Sequence, residues 1–317
     1  MVGPADVAVD LGAIVATAAV AKFTGNLAGT VAAVLYIGVR QRHLSNLAHE
    51  CVHAKIVRSA PVNKALGYFL TAILGEGFEP YRISHQVHHA KLGATGDPMF
   101  ESYLSRSVSA PTPSKTSFVW RVIVLKVLWT LPKSSLVAFV TKAPTESSRS
   151  AVGRALFWFT LAAAAWRAGV LGDLVVYWLL PLLLVRPAVT WITDLGNHAG
   201  VIDTGDPITQ TRGWSSHWLT RHLLGGHLDD MFHPVHHWCP RIPWRRLPQA
   251  AAILQTEFDR WPEVPWCSGY FFRRNSTPDI PCVIEDIITR LHDHQTPNVS
   301  ASAVRNEGLR PSPSREL

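Results

Sequence analysis

Apolar blocks separated by polar gaps crowd the first two thirds of the chain. Phe23 to Val39 is an uncharged run between Lys22 and Arg40. At about 1.5 Å of rise per residue it is near the lower limit for a helix that crosses a bilayer. Leu11 to Ala21 is a shorter apolar partner, and Gly25 with Asn26 suits the turn of a tight hairpin. The second helix then starts near Leu27 and runs on past Arg40. Leu66 to Leu74 is too short to span and suits a re-entrant or half-buried helix. Phe118 to Val140 is interrupted by Arg121, Lys126, Pro132 and Lys133, and reads as an interfacial amphipathic helix. Leu156 to Leu171 and Leu174 to Val185 predict a second hairpin that turns at Gly172 and Asp173. Arg167 can snorkel there, and Pro181 would kink the second helix, which runs on to His198.

The remaining sequence is polar. Residues 200 to 294 are rich in His, Trp, Arg and Pro and are expected to form a cap. From Gln295 the chain is rich in Ser, Pro and Asn and is expected to be disordered. No internal repeat is visible. The apolar fraction of 47% is ordinary for a soluble protein, so the block distribution carries the membrane signal. Met1 to Asp10 has no basic stretch and shows no clear signal-peptide pattern. A net charge of +7 fits positive cytoplasmic loops first, and is compatible with a surface for an acidic electron donor. No Lys/Arg-rich run points to nucleic acid. Cys51, Cys239, Cys267 and Cys282 are widely spaced, which argues against a rubredoxin-like or zinc-ribbon module. They are expected to be reduced thiols.

The histidines change the picture. Residues 49–53 read H-E-C-V-H, residues 85–89 read H-Q-V-H-H, and residues 233–237 read H-P-V-H-H. On a helix, positions i, i+3 and i+4 lie on one face, so each box can aim two or three imidazoles at one point. With histidine at roughly one residue in 20, an H-x-x-H-H match is expected about 0.04 times by chance, and the chain holds two. Imidazole is a good ligand for iron and zinc. Eight nitrogens are too many for one ion and suit two. Soluble di-iron bundles rely on glutamates, whereas Glu50 is the only acid within these boxes. A competing motif is present, because His49, Glu50 and His53 also spell the H-E-x-x-H of zinc proteases. That reading leaves most of the other box histidines unexplained.

The three boxes together resemble the pattern of the membrane fatty acid desaturases and related hydroxylases. The stretch Tyr81 to Pro98, with its trailing Asp97-Pro98, is similar to the second box of that family. His233 to Pro248 resembles the third box with its proline-rich sequel, and Arg40 to His53 resembles the first box with its leading basic cluster. The resemblance covers roughly residues 20 to 260 and implies an all-α, integral-membrane fold. Two helical hairpins, at about 9–42 and 155–198, would carry a cytosolic helical cap from 43–154 and 199–294, followed by the tail 295–317. It implies two iron ions held by His49, His53, His85, His88, His89, His233, His236 and His237. His198 matches the further histidine of the family between boxes two and three. Asp194, one turn earlier, stands where some relatives hold an Asn that contacts metal through water. It is expected behind His198, accepting its second N–H, with direct or water-mediated contact to iron, or a solvated helix-end acid, as the alternatives. Asn197, His227 and Asp97 are further candidates for that supporting ring. His43, His217, His222, His292 and His294 fit no box.

The implied chemistry is O2 activation by reduced di-iron and abstraction of hydrogen from an unactivated C–H bond. The outcome is a double bond, or an alcohol if oxygen rebounds. The family default is a fatty acyl chain, with small amino-acid-derived, other natural-product or carotenoid substrates as alternatives. No haem, flavin or iron–sulfur motif is fused to the chain, so a ferredoxin or similar donor with its reductase is implied. Arg40, Arg42, Lys55, Arg58, Lys64, Arg82 and Lys91 cluster around the first two boxes, which places the site and both termini in the cytosol.

Overall fold

The computed structural model describes residues 3–108, 110, 114–215, 217–224 and 228–293. His227, His294 and the tail 295–317 therefore lie outside the described residues. The fold is almost wholly helical. Two-residue strands at Gly213–Trp214 and Trp266–Cys267 pair in parallel and are the only sheet among the described residues.

Helix α1 (Pro4–Thr24) ends where Gly25 adopts a left-handed φ of 62°, and α2 (Leu27–Val52) begins at once. Asn26 caps α2 by accepting from Gly29 N at 2.7 Å. The expected turn residues thus do the expected work. Helix α2 runs on through box one, so the histidines there sit on a rigid end and not in a loop. Helices α3 (Ala60–Ile73), α4 (Phe78–Lys91) and α5 (Pro98–Ser105) follow.

Helix α6 (Lys115–Val140) is continuous and is long and apolar enough to cross a membrane, where an interfacial amphipathic helix was expected. Its residues 119–124 and 126–130 form wider π turns just before Pro132. A wider turn relieves the clash of a proline ring with the carbonyl one turn back, so the helix bends its register without breaking. The same device, at residues 175–179 and 181–185, carries the next long helix past Pro181.

Helix α7 (Ser148–Arg167) and helix α8 (Leu171–His198) are joined by residues 168–170, with Gly169 at φ 71°. The turn falls earlier than the expected Gly172–Asp173. Asp173 lies instead in the first turn of α8 and meets Lys22 at 2.5 Å, tying the two helix–helix turns to one side of the molecule. Helices α2 and α8 both start on that side and both end at histidines. They pack closely midway, where a Cβ added at Gly38 would stand 2.3 Å from Val185 Cβ.

Among the described residues, α1, α6 and α8 are long and apolar enough to cross a membrane. Helix α2 carries Arg40 and Arg42, and α7 carries Arg149, Arg154 and Arg167, so composition does not mark them as spans. The outer face is apolar: Phe23, Trp129 and Phe159 are 94%, 74% and 73% exposed, as side chains facing lipid are. Short helices α9 (Trp218–Leu224), α10 (Leu228–Met231), α11 (His233–Trp238), α12 (Leu247–Glu257) and α13 (Val283–Asp293) complete the cap.

Single cysteines test this arrangement, with Cys239→Ser as background. Asn26→Cys and Val170→Cys are expected to react with an impermeant maleimide on intact cells. Lys91→Cys and Thr145→Cys are expected to react only once the cells are opened. Labelling of all four from one side would contradict it.

Candidate metal centre

Nine histidines from four elements converge at the ends of these helices. His49 sits in the last turn of α2, with His53 the residue that ends it. His85, His88 and His89 lie on α4, His198 closes α8, and His233, His236 and His237 lie on α11. Their ring nitrogens fall into two groups, each with all members within 4.8 Å of one another. One group holds His49, His53, His85, His89 and His236, and the other holds His88, His198, His233 and His237.

The partition follows from helix geometry. At about 100° per residue, i and i+4 are about 40° apart, while i+3 lies about 60° to the other side. The second box therefore sends His85 and His89 to the first group and His88 to the second. The third box does the reverse: His233 and His237 go to the second group and His236 to the first. The second and third boxes each bridge both groups, and the first box feeds the first group alone.

The distances fit metal ions. His85 Nε2 lies 2.9 Å from the Nε2 of each of His49, His53 and His89. His198 Nε2 lies 3.2 Å from that of His88 and 2.8 Å from that of His233. One proton on His85 can serve one such neighbour and not three. A cation with metal–nitrogen bonds of about 2.1 Å serves all of them, since adjacent ligands of such an ion stand about 3.0 Å apart. The electrostatics agree. Burial, helped by the neighbouring rings, pushes His85, His236 and His237 well below the usual histidine range and His89 down to about 4. Neutral rings with a free lone pair are what a metal requires. Each of the two groups could hold a metal ion.

Asp97 stands where a supporting carboxylate is wanted. Its Oδ1 accepts from His88 Nδ1 at 2.9 Å, leaving His88 Nε2 as the lone-pair nitrogen of that ring. Gly93 N and Met99 N, each at 2.9 Å, fix the carboxylate in turn. Burial alone would raise the Asp97 carboxyl; His88 and these two N–H donors hold it below its ordinary range.

The other expected supports lie differently. Asp194 makes no side-chain hydrogen bond to His198 among the described residues and instead lines a cavity of roughly 190 Å³ beside the histidines. Asn197 lines it too, but its Oδ1 accepts from Trp214 Nε1 at 3.3 Å, which makes it a strut for the cap. Glu50 is fully buried in an ion pair with Lys55 at 2.5 Å, and its other oxygen accepts from Trp244 N at 3.4 Å. Lys55 also donates to Ile242 O at 3.3 Å. A carboxylate so engaged is an anchor between α2 and the segment after box three.

Sequence reasoning missed a polar cluster beside the site. Arg42 Nη2 donates to Asp230 Oδ1 at 2.9 Å and to Thr193 Oγ1 at 3.1 Å, and Asn46 Nδ2 donates to Asp230 Oδ2 at 3.0 Å. The available signal was the spacing of Arg42, Asn46, His49 and His53, a polar stripe along one helix face that needs a buried partner.

A family model described as Fatty acid desaturase matches residues 25–267, which include all nine histidines. The chain belongs to the fatty acid desaturase family. It is also 30% identical over 240 residues to the dihydrorhizobitoxine desaturase of Bradyrhizobium elkanii. That match covers 70% of this chain and 66% of the relative, so the chain spans just under two thirds of the relative's length. For this desaturase-family chain the supporting role of Asp97 is directly testable. Asp97→Ala is expected to weaken metal retention about 10- to 100-fold, read as metal content after timed dialysis against a chelator. Retention equal to the parent protein would remove Asp97 from the site.

Proposed function

We propose that the chain is an O2-dependent di-iron oxidoreductase that converts a C–C single bond of its substrate into a double bond. The observation that carries this reading is the division of nine histidine nitrogens into groups of five and four. Bound iron would supply O2 activation and hydrogen abstraction from an unactivated C–H bond. The balance is two C–H hydrogens, one O2, two electrons and two protons giving a double bond and two waters. No haem, flavin or iron–sulfur motif stands in the chain, so the electrons come from an external ferredoxin-like protein.

The chain's own residues have defined tasks in this scheme. The nine histidines would hold the ions, and burial keeps the rings of His49, His53, His85, His89, His198, His236 and His237 neutral. Asp97 orients His88. The cavity touches His49 and His85 of one group and His88, His198 and His233 of the other, so a substrate there lies against both. The basic residues around the first two boxes favour a cytosolic face for the centre. The H-E-x-x-H protease alternative loses support, because the carboxylate it needs as a base is buried against Lys55.

Metal analysis tests the proposal. Protein from iron-replete cells is expected to carry about two irons per chain and little zinc. His88→Ala, His89→Ala, His236→Ala and His237→Ala are each expected to lose activity and most of the iron, and His292→Ala neither. One zinc per chain, with hydrolytic activity lost in Glu50→Gln, would overturn it.

A further inference from the structure

An ion pair with a half-used arginine guards the histidine-lined cavity. Arg186, within α8, donates from Nη1 to Glu76 Oε1 at 2.7 Å and to Ser45 Oγ at 3.4 Å. Its Nε is buried and meets no acceptor among the described residues. Nε and Nη2 form one edge of the guanidinium fork, an edge that takes a carboxylate through two parallel N–H···O bonds. The Glu76 side chain is 35% exposed, so its carboxylate has room for a second partner. Both residues line the inner cavity, and both also line an outer cavity of about 260 Å³ that includes Leu182, Leu183 and Phe139. The pair is the shared wall between the two.

The inner cavity restricts what can enter. At about 30 Å³ per water-sized group, its volume of roughly 190 Å³ holds on the order of six such groups. A long acyl chain has more than a dozen. Arg42, Asp194 and Asp230 also stand in its wall. Methylenes packed against them would remove hydration from the charges and return no hydrogen bond.

We propose that Arg186 and Glu76 together bind the zwitterionic headgroup of a small α-amino acid derivative. Arg186 Nε and Nη2 take the carboxylate, Glu76 takes the ammonium, and a side chain of about six non-hydrogen atoms reaches the histidines. Neighbouring opposite charges in the wall match the neighbouring opposite charges of such a headgroup. A zwitterionic phospholipid presents similar charges, but its acyl chains exceed the cavity. What happens to the bound side chain rests on the desaturase reading above.

The source organism, with its gene intact or replaced by the His88→Ala form, provides the test. Aqueous and lipid extracts are compared by mass spectrometry for compound pairs that differ by two hydrogens. The expected result is an aqueous pair bearing a free amine and a free carboxylate. A pair confined to the lipid extract overturns the zwitterion inference and leaves the desaturase reading standing. No pair in either extract, with iron present in the purified chain, overturns both. With the aqueous substrate in hand, Glu76→Gln and Arg186→Lys are expected to raise KM about 10- to 100-fold with kcat within about twofold. Iron content and Tm are expected to stay at the parent values. An unchanged KM in both variants removes the pair from headgroup recognition.

Discussion

The crowding of imidazole lone pairs is the constraint on which the rest of this structure depends. His85 Nε2 faces three other ring nitrogens at 2.9 Å, an arrangement that hydrogen bonding cannot satisfy and that a cation can. Four separate elements must arrive at that crowd: the ends of α2 and α8, the C-terminal half of α4, and the short α11. Because the second and third boxes each feed both groups, the two sites cannot move independently. A shift of α4 that displaces His85 also displaces His88. The long helices therefore act as rulers, starting together at the Lys22–Asp173 contact and ending together at the histidines.

Each box-bearing element is fastened by a buried charge. Arg42 and Asp230 tie α2 to α10, which leads into box three. Lys55 and Glu50 tie the end of α2 to the segment that follows box three. Arg212 meets Asp286 of α13 at 2.7 Å and donates to the carbonyls of Gly196 and Ala199, which fixes the end of α8. Asp97 holds α4 through His88. Desolvating such charges costs on the order of several kcal/mol per ion, so these pairs are poor devices for stability alone. Their use here is geometric, because each allows only one approach of its two elements.

What was legible in the sequence was local. The eight box histidines are legible because the i, i+3, i+4 rule needs no knowledge of the rest of the fold, His198 is reached only through the family resemblance, and Gly25-Asn26 announced its own turn. Features set by distant partners were not legible. Arg42 and Asp230 are 188 residues apart, and nothing near either names the other. The charges and Pro132 of α6 suggest an interfacial amphipathic helix, while the π turns ahead of the proline leave no local sequence mark. The second helix–helix turn was placed at Gly172-Asp173 from residue type. Asp173 instead lies in the first turn of α8 and pairs with Lys22 in the last turn of α1.

The same limit explains why box one is ambiguous as a motif and unambiguous as a structure. The letters H-E-x-x-H fix a ligand pair one helical turn apart, but they do not say where the intervening carboxylate points. Here it meets Lys55 and Trp244 N, and the two imidazoles join three others from α4 and α11. For Glu50 to act as a base it would have to leave the Trp244 N–H and a buried ammonium that would keep only the Ile242 carbonyl. The chemistry of the motif is thus decided by residues at 55, 85, 89, 236 and 244. None of these lies inside the five letters.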